Sequence, residues 1–92
     1  MSLLRIAIAK RNCAFIIRME DPVQTLKRVL DMAYDQGIKI ELMQMHAMSS
    51  SEARLSLHCQ IDKEKIKQAR NCLEKMKGIV ELELLESRLV EA

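Results

Sequence analysis

Residues 13 to 42 spell a strand, a helix and a second strand, and residues 53 to 85 repeat that pattern more loosely. In the first copy, Cys13, Phe15, Ile17 and Met19 alternate with Ala14, Ile16, Arg18 and Glu20. A period of two is the signature of a strand with two unlike faces. Asp21-Pro22 then opens a helix, since an Asp carboxylate can accept a bond from a first-turn N–H and Pro loses no needed donor there. Leu26, Val29, Leu30 and Ala33 fall on one helical face, with Lys27, Arg28, Asp31 and Asp35 opposite. Gly37 supplies the left-handed stop. Ile38, Ile40 and Leu42 start a second strand that runs through Met43 and Met45 to Ala47.

After the polar turn Met48–Glu52, Ala53, Leu55, Leu57, Cys59 and Ile61 alternate with Arg54, Ser56, His58 and Gln60. This is a strand with one dry face and one wet face. Asp62 is positioned to cap a second helix, whose apolar face holds Ile66, Ala69, Leu73 and Met76, and Gly78 is placed to stop it. Val80, Leu82 and Leu84 alternate with Glu81 and Glu83 in a last strand. The order predicts an α+β, ferredoxin-like βαββαβ sandwich: a four-stranded antiparallel sheet with two helices on one face. All 92 residues are expected to form a single domain with its core at 13–85. Residues 1–12 read as an N-terminal extension: an extra strand around Leu4, Ile6 and Ile8, an extension of the next strand, or an unstructured arm, with Lys10-Arg11-Asn12 breaking the apolar pattern as a solvated turn would. Residues 86–92 read as a tail.

A chain this short buries roughly 60–65% of the surface its unfolded form exposes, so its core is thin. With only Phe15 and Tyr34 as aromatics, that core must be aliphatic and Met-rich, and seven Met residues also suit an adaptable partner surface. The net charge is +2 with acids and bases interspersed, which is no electrostatic footprint for nucleic acid. Base-stacking aromatics are lacking as well. No apolar run reaches the ~20 residues of a membrane span, and no signal-peptide pattern is present. Cys13, Cys59 and Cys72 are odd in number and irregularly spaced, so they define no disulfide framework; buried thiols in a reducing cytoplasm are the simplest account.

Catalytic chemistry is hard to assemble from these residues. His46, His58 and Cys59 are the one candidate metal or nucleophile set, with no evident third ligand or orienting partner. No catalytic residue, metal or cofactor is therefore expected. Glu81 and Glu83 would share a strand face about 7 Å apart, suiting a solvated or interface face. A phosphate-handling pair of Arg18 and Asn12 lacks the Gly-rich cradle that anion sites built from backbone N–H groups need. Two features remain. The turn Asp21, Pro22, Val23 and Gln24 sits at a helix N-terminus, where free N–H groups favour a carboxylate ligand. Ala14 and Ile16, together with Met43, Met45 and Ala47, suggest an apolar patch on the helix-free face of the sheet, where a second chain would dock.

The strand, the Asp21-Pro22 turn, the Leu26-Lys27-Arg28-Val29-Leu30 helix, Gly37-Ile38-Lys39-Ile40 and the Met-rich second strand resemble the ACT domain. The likeness covers about residues 13–85. Within that group the short length and the run Pro22, Leu26, Val29-Leu30 are most similar to the small regulatory subunit of acetolactate synthase in its single-domain form. The resemblance implies a cytoplasmic homodimer paired through its sheets, contact with a large thiamine-diphosphate-dependent catalytic subunit, and a free amino acid bound near the first strand–helix turn. A stand-alone amino-acid-binding module is the alternative it implies. One departure stands out: members that bind amino acids carry a Gly just after this turn, where this chain has Val23-Gln24, and a Cβ there crowds a ligand.

Overall fold

The computed structural model describes residues 10–86. The expected N-terminal strand around Leu4–Ile8 and the tail after Glu86 lie outside them. The described chain runs β1 (Lys10–Glu20), α1 (Pro22–Asp35), β2 (Lys39–Ala47), β3 (Glu52–Asp62), a 3-10 turn (Lys63–Lys65), α2 (Ile66–Glu74) and β4 (Ile79–Glu86). All strand pairs are antiparallel, in the order β2-β3-β1-β4. This is the ferredoxin-like sandwich the alternation predicts.

The central ladder is β1 against β3, in register without a break from Lys10 opposite Asp62 to Glu20 opposite Glu52. Lys10-Arg11-Asn12 therefore do not break the strand. Their polar side chains interrupt the apolar pattern, but their backbone pairs with Asp62, Ile61 and Gln60. Phe15, Ile17 and Met19 of β1 and Leu55, Leu57 and Ile61 of β3 face the helices and are fully buried. Val29, Met32 and Ala33 of α1 and Ile66, Ala69 and Leu73 of α2 cover them. The buried stripe of α1 also includes Thr25, while Leu26 and Leu30 are only partly covered. The predicted helical face is thus rotated toward Thr25 and Met32.

Gly37 ends α1 as expected. Its φ is 67°, and Ile38 N–H donates to Ala33 O at 2.9 Å while Gly37 N–H donates to Tyr34 O at 3.1 Å. That pair of bonds is a Schellman cap, with buried Ile38 as its apolar contact. Gly78 does something else. Helix α2 already ends at Glu74, and Gly78, at φ 97°, packs against the start of α1. A Cβ at Gly78 would collide with Thr25 Oγ1 and stand 3.1 Å from Thr25 Cγ2. Gly78 O also accepts the Glu20 N–H at 2.7 Å, and Thr25 Oγ1 donates to Glu20 O at 2.6 Å. Glu20, Thr25 and Gly78 therefore lock the end of β1 to the first turn of α1 and the entry to β4.

Two stability changes follow from this lock. Gly78→Ala forces both a disfavoured positive φ and a clash, and should destabilise by about 2–3 kcal/mol in urea unfolding. Thr25→Val keeps the shape but removes the hydroxyl, and should cost about 1 kcal/mol.

Candidate functional site

The turn after β1 is built by backbone. Asp21 sits in the left-handed region at φ 50° and ψ 64°, and it is the one non-glycine residue with positive φ among the described residues. Its N–H donates to Ser51 O at 3.1 Å, and its carbonyl accepts the Thr25 N–H at 2.9 Å. Its carboxylate makes no capping bond, contrary to the sequence expectation. The left-handed backbone explains this, because it departs from the extended N-cap conformation from which a side chain reaches back to the first turn. The Asp21 side chain is exposed, as are Val23, at 68%, and Gln24. The turn thus presents a carboxylate, an apolar side chain and an amide to solvent, and its frame is held by Ser51 on one side and Gly78 on the other.

The helix-free face of the sheet can be read from the registers. Residues directly opposite in an antiparallel ladder point to the same side. Ala14 stands between His58 of β3 and Leu85 of β4, and Ile16 between Ser56 and Glu83. Arg18 stands between Arg54 and Glu81. Ala14, although on the open face, is buried between its larger neighbours. Ala14 and Ile16 therefore sit on the helix-free face as expected.

Met43, Met45 and Ala47 do not. The β2·β3 register slips between Ile40 and Leu42, because Glu41 is an extra residue with no partner. A one-residue bulge reverses every side chain beyond it. Leu42, opposite His58, moves to the open face, while Met43, opposite Leu57, and Met45, opposite Leu55, turn to the helix side. The helices do not reach that far, so Met43 and Met45 stay 42% and 39% exposed. Strand β2 is consequently an edge strand with apolar side chains bare on both faces, Leu42 on one and the Met pair on the other. Alternation alone could not show the bulge, since Glu41 looks like an ordinary outward residue.

The other candidate sets separate. His46 lies opposite Arg54 and His58 opposite Leu42, four register positions apart on the open face, while Cys59 points to the helix side. Among the described residues no group of three or more His, Cys, Asp or Glu is arranged to hold a metal ion. Asn12 and Arg18 share a face but stand six residues, about 20 Å, apart along β1. Arg18 is engaged instead by Glu81, 3.6 Å from its Nη1, and by Glu52, 3.9 Å from its Nε. Beside this arginine lies an open hollow of about 400 Å³ lined by Ile16, Arg18, Arg54, Glu81, Leu82 and Glu83. It carries two guanidinium groups and two carboxylates on one wall of β-sheet.

No known protein-family profile matches the sequence, and no curated protein matches it significantly. Solved structures do share its fold. The ACT domain of a GTP pyrophosphokinase from Chlorobium tepidum superposes with a TM-score of 0.71 at 16% identity, covering 83% of this chain and 99% of that one. The regulatory subunit of an aspartate kinase from Thermus thermophilus gives 0.60 at 14% identity, covering 82% of this chain and 51% of that one. Ribosomal protein S6 from Thermotoga maritima gives 0.69 at 10% identity, covering 85% and 88%. The chain has an ACT-like, ferredoxin-like fold. At these identities the likeness is one of architecture, which hosts unrelated functions. No described helix is long and apolar enough to cross a membrane.

The strained turn makes a simple prediction. Asp21→Gly should stabilise the protein by about 0.5–1 kcal/mol in chemical denaturation, because glycine adopts the left-handed backbone without a Cβ penalty.

Proposed function

We propose that this chain is a non-catalytic regulatory subunit of ACT type, which pairs with a second copy and activates the large thiamine-diphosphate-dependent subunit of acetolactate (acetohydroxyacid) synthase. The observation that carries the subunit reading is β2. An edge strand of nine residues, paired on one flank only among the described residues and with bare Leu42, Met43 and Met45, invites pairing with another chain. The interface residues in this reading are those of β2, including Ala47, with Ala14 and Ile16 at the centre of the open face. The synthase as partner rests on the resemblance carried by Pro22, Leu26, Val29-Leu30 and the Met-rich strand, and the ACT-like fold supports it. No cofactor of its own enters the proposal.

Binding of a free amino acid, whether by this subunit or by a stand-alone module, is the second reading. The hollow favours it: Arg18 and Arg54 with Glu81 and Glu83 offer both signs of charge, as a zwitterion requires. The exposed Asp21–Gln24 turn lies at the same end of β1 as Arg18. Val23 in place of the glycine of amino-acid-binding members weighs on the activation side.

Each reading has its own measurement. Co-expression with a large synthase subunit should give a co-purifying complex and a several-fold rise in acetohydroxyacid formation; no complex and an unchanged rate would sink the synthase reading. Leu42→Lys with Met45→Lys should shift the protein from dimer to monomer in sedimentation, through the charge placed on both faces of the edge. Calorimetry against the twenty amino acids should give heat with at least one of them at sub-millimolar affinity, lost in Arg18→Ala or Asp21→Ala, if the chain is a sensor. Silence with all twenty removes sensing and leaves the subunit role standing.

A further inference from the structure

Cys13 and Cys59 are directly opposite one another in the central β1·β3 ladder, on the helix side. They are 4% and 1% exposed, and their sulfurs are 3.7 Å apart. Directly opposed residues in an antiparallel pair have Cα atoms about 4.5–5.5 Å apart, whichever type of pair they form. Both values lie within the roughly 4.4–6.8 Å that a disulfide spans. Closing the bond to about 2.05 Å asks for side-chain rotation and leaves the ladder in place. Cys72, on α2, is within hydrogen-bonding reach of neither sulfur among the described residues.

We propose that Cys13 and Cys59 form a reversible modification site, a dithiol that hydroperoxides convert to an intramolecular cross-strand disulfide. The two sulfurs differ in character. The Cys59 S–H bond holds the Cys13 thiol below its ordinary range, against the opposing effects of burial and Glu86. Its bond to Cys13 together with burial pushes the Cys59 thiol up, and the negative charges of Cys13 and Glu41 add to this. Cys13 is thus the attacking sulfur and Cys59 the resolving one. Access requires a local opening of the sheet around Cys13, which pairs with Glu86 of β4 on its other side.

The chemistry closes with hydrogen peroxide as oxidant. The Cys13 thiolate attacks one peroxide oxygen; an S–O bond forms, the O–O bond breaks, and the departing hydroxide leaves as water with the proton that Cys13 gave up. The Cys59 sulfur then attacks the sulfenic sulfur. An S–S bond forms, the S–O bond breaks, and a second water leaves carrying the Cys59 proton. Two thiols and one peroxide become one disulfide and two waters, and an excess of a small thiol reverses the change by exchange.

Trypsin places the three cysteines on separate peptides, 12–18, 55–63 and 71–75. The 92-residue chain treated with hydrogen peroxide, then alkylated after unfolding, should keep one reactive thiol of its three cysteines. Peptides 12–18 and 55–63 should appear joined in the non-reduced digest, and Cys72→Ser should behave as the parent does. Oxidation should also raise Tm by on the order of 10 °C, reversed by dithiothreitol, since the bridge closes a long loop of the unfolded chain. Because the parent protein is the one digested, the result does not depend on whether Cys13 or Cys59 variants fold. A bridge that includes Cys72, a bridge between two chains, or three thiols still alkylated after peroxide treatment would each overturn the proposal.

Discussion

The rest of the structure hangs on the unbroken pairing of β1 with β3. These two strands are central, and each presents one fully dry face. Once Phe15 is opposite Leu57 and Ile17 opposite Leu55, the side that the helices must cover is decided. A slip of one residue would send that whole set to water, so the register is held by the free energy of burying it. β2 and β4 then add to the two flanks and become the edges. Among the described residues no strand pairs with the outer flank of β2, and that flank is what the proposed subunit role uses.

The second organising contact is smaller. At one end of the sheet, Thr25 and Gly78 meet at the Glu20 backbone, and Ser51 holds Asp21 from the other side. The strand–helix turn is therefore framed by two loops distant in sequence. A glycine is needed at this corner, but it comes from the approach to β4 and not from the turn itself. The same corner leaves Asp21 strained and solvent-facing, a conformation that persists only where the surroundings over-determine it. The sheet's opposite end holds the Cys13–Cys59 pair, so the left-handed turn and the buried thiol contact lie at two separated places.

Much of the architecture was legible. Alternation in Cys13–Met19 and Ala53–Ile61 identified the central strands, because burial on one face only imposes a period of two. Gly37 marked the end of α1, because a left-handed cap without a Cβ penalty is what glycine supplies. The errors came where the backbone departs from regular periods. Asp21 reads as a side-chain cap and is not one. Lys10-Arg11-Asn12 read as a break because side-chain polarity says little about a backbone ladder whose partner lies some fifty residues away. Glu41 reads as one more outward residue, yet as a bulge it moves Met43 and Met45 to the other face.

By itself, then, the sequence determined the order of elements, the two dry central strands and the helix stop at Gly37. All of these follow from local periodicity and single-residue backbone preferences. Only the tertiary structure decided which face of β2 carries its methionines, which glycine supports the first turn, and that Cys13 and Cys59 touch. Those depend on register between distant segments. Register is set by the summed burial of whole strands, and no short stretch of sequence records it.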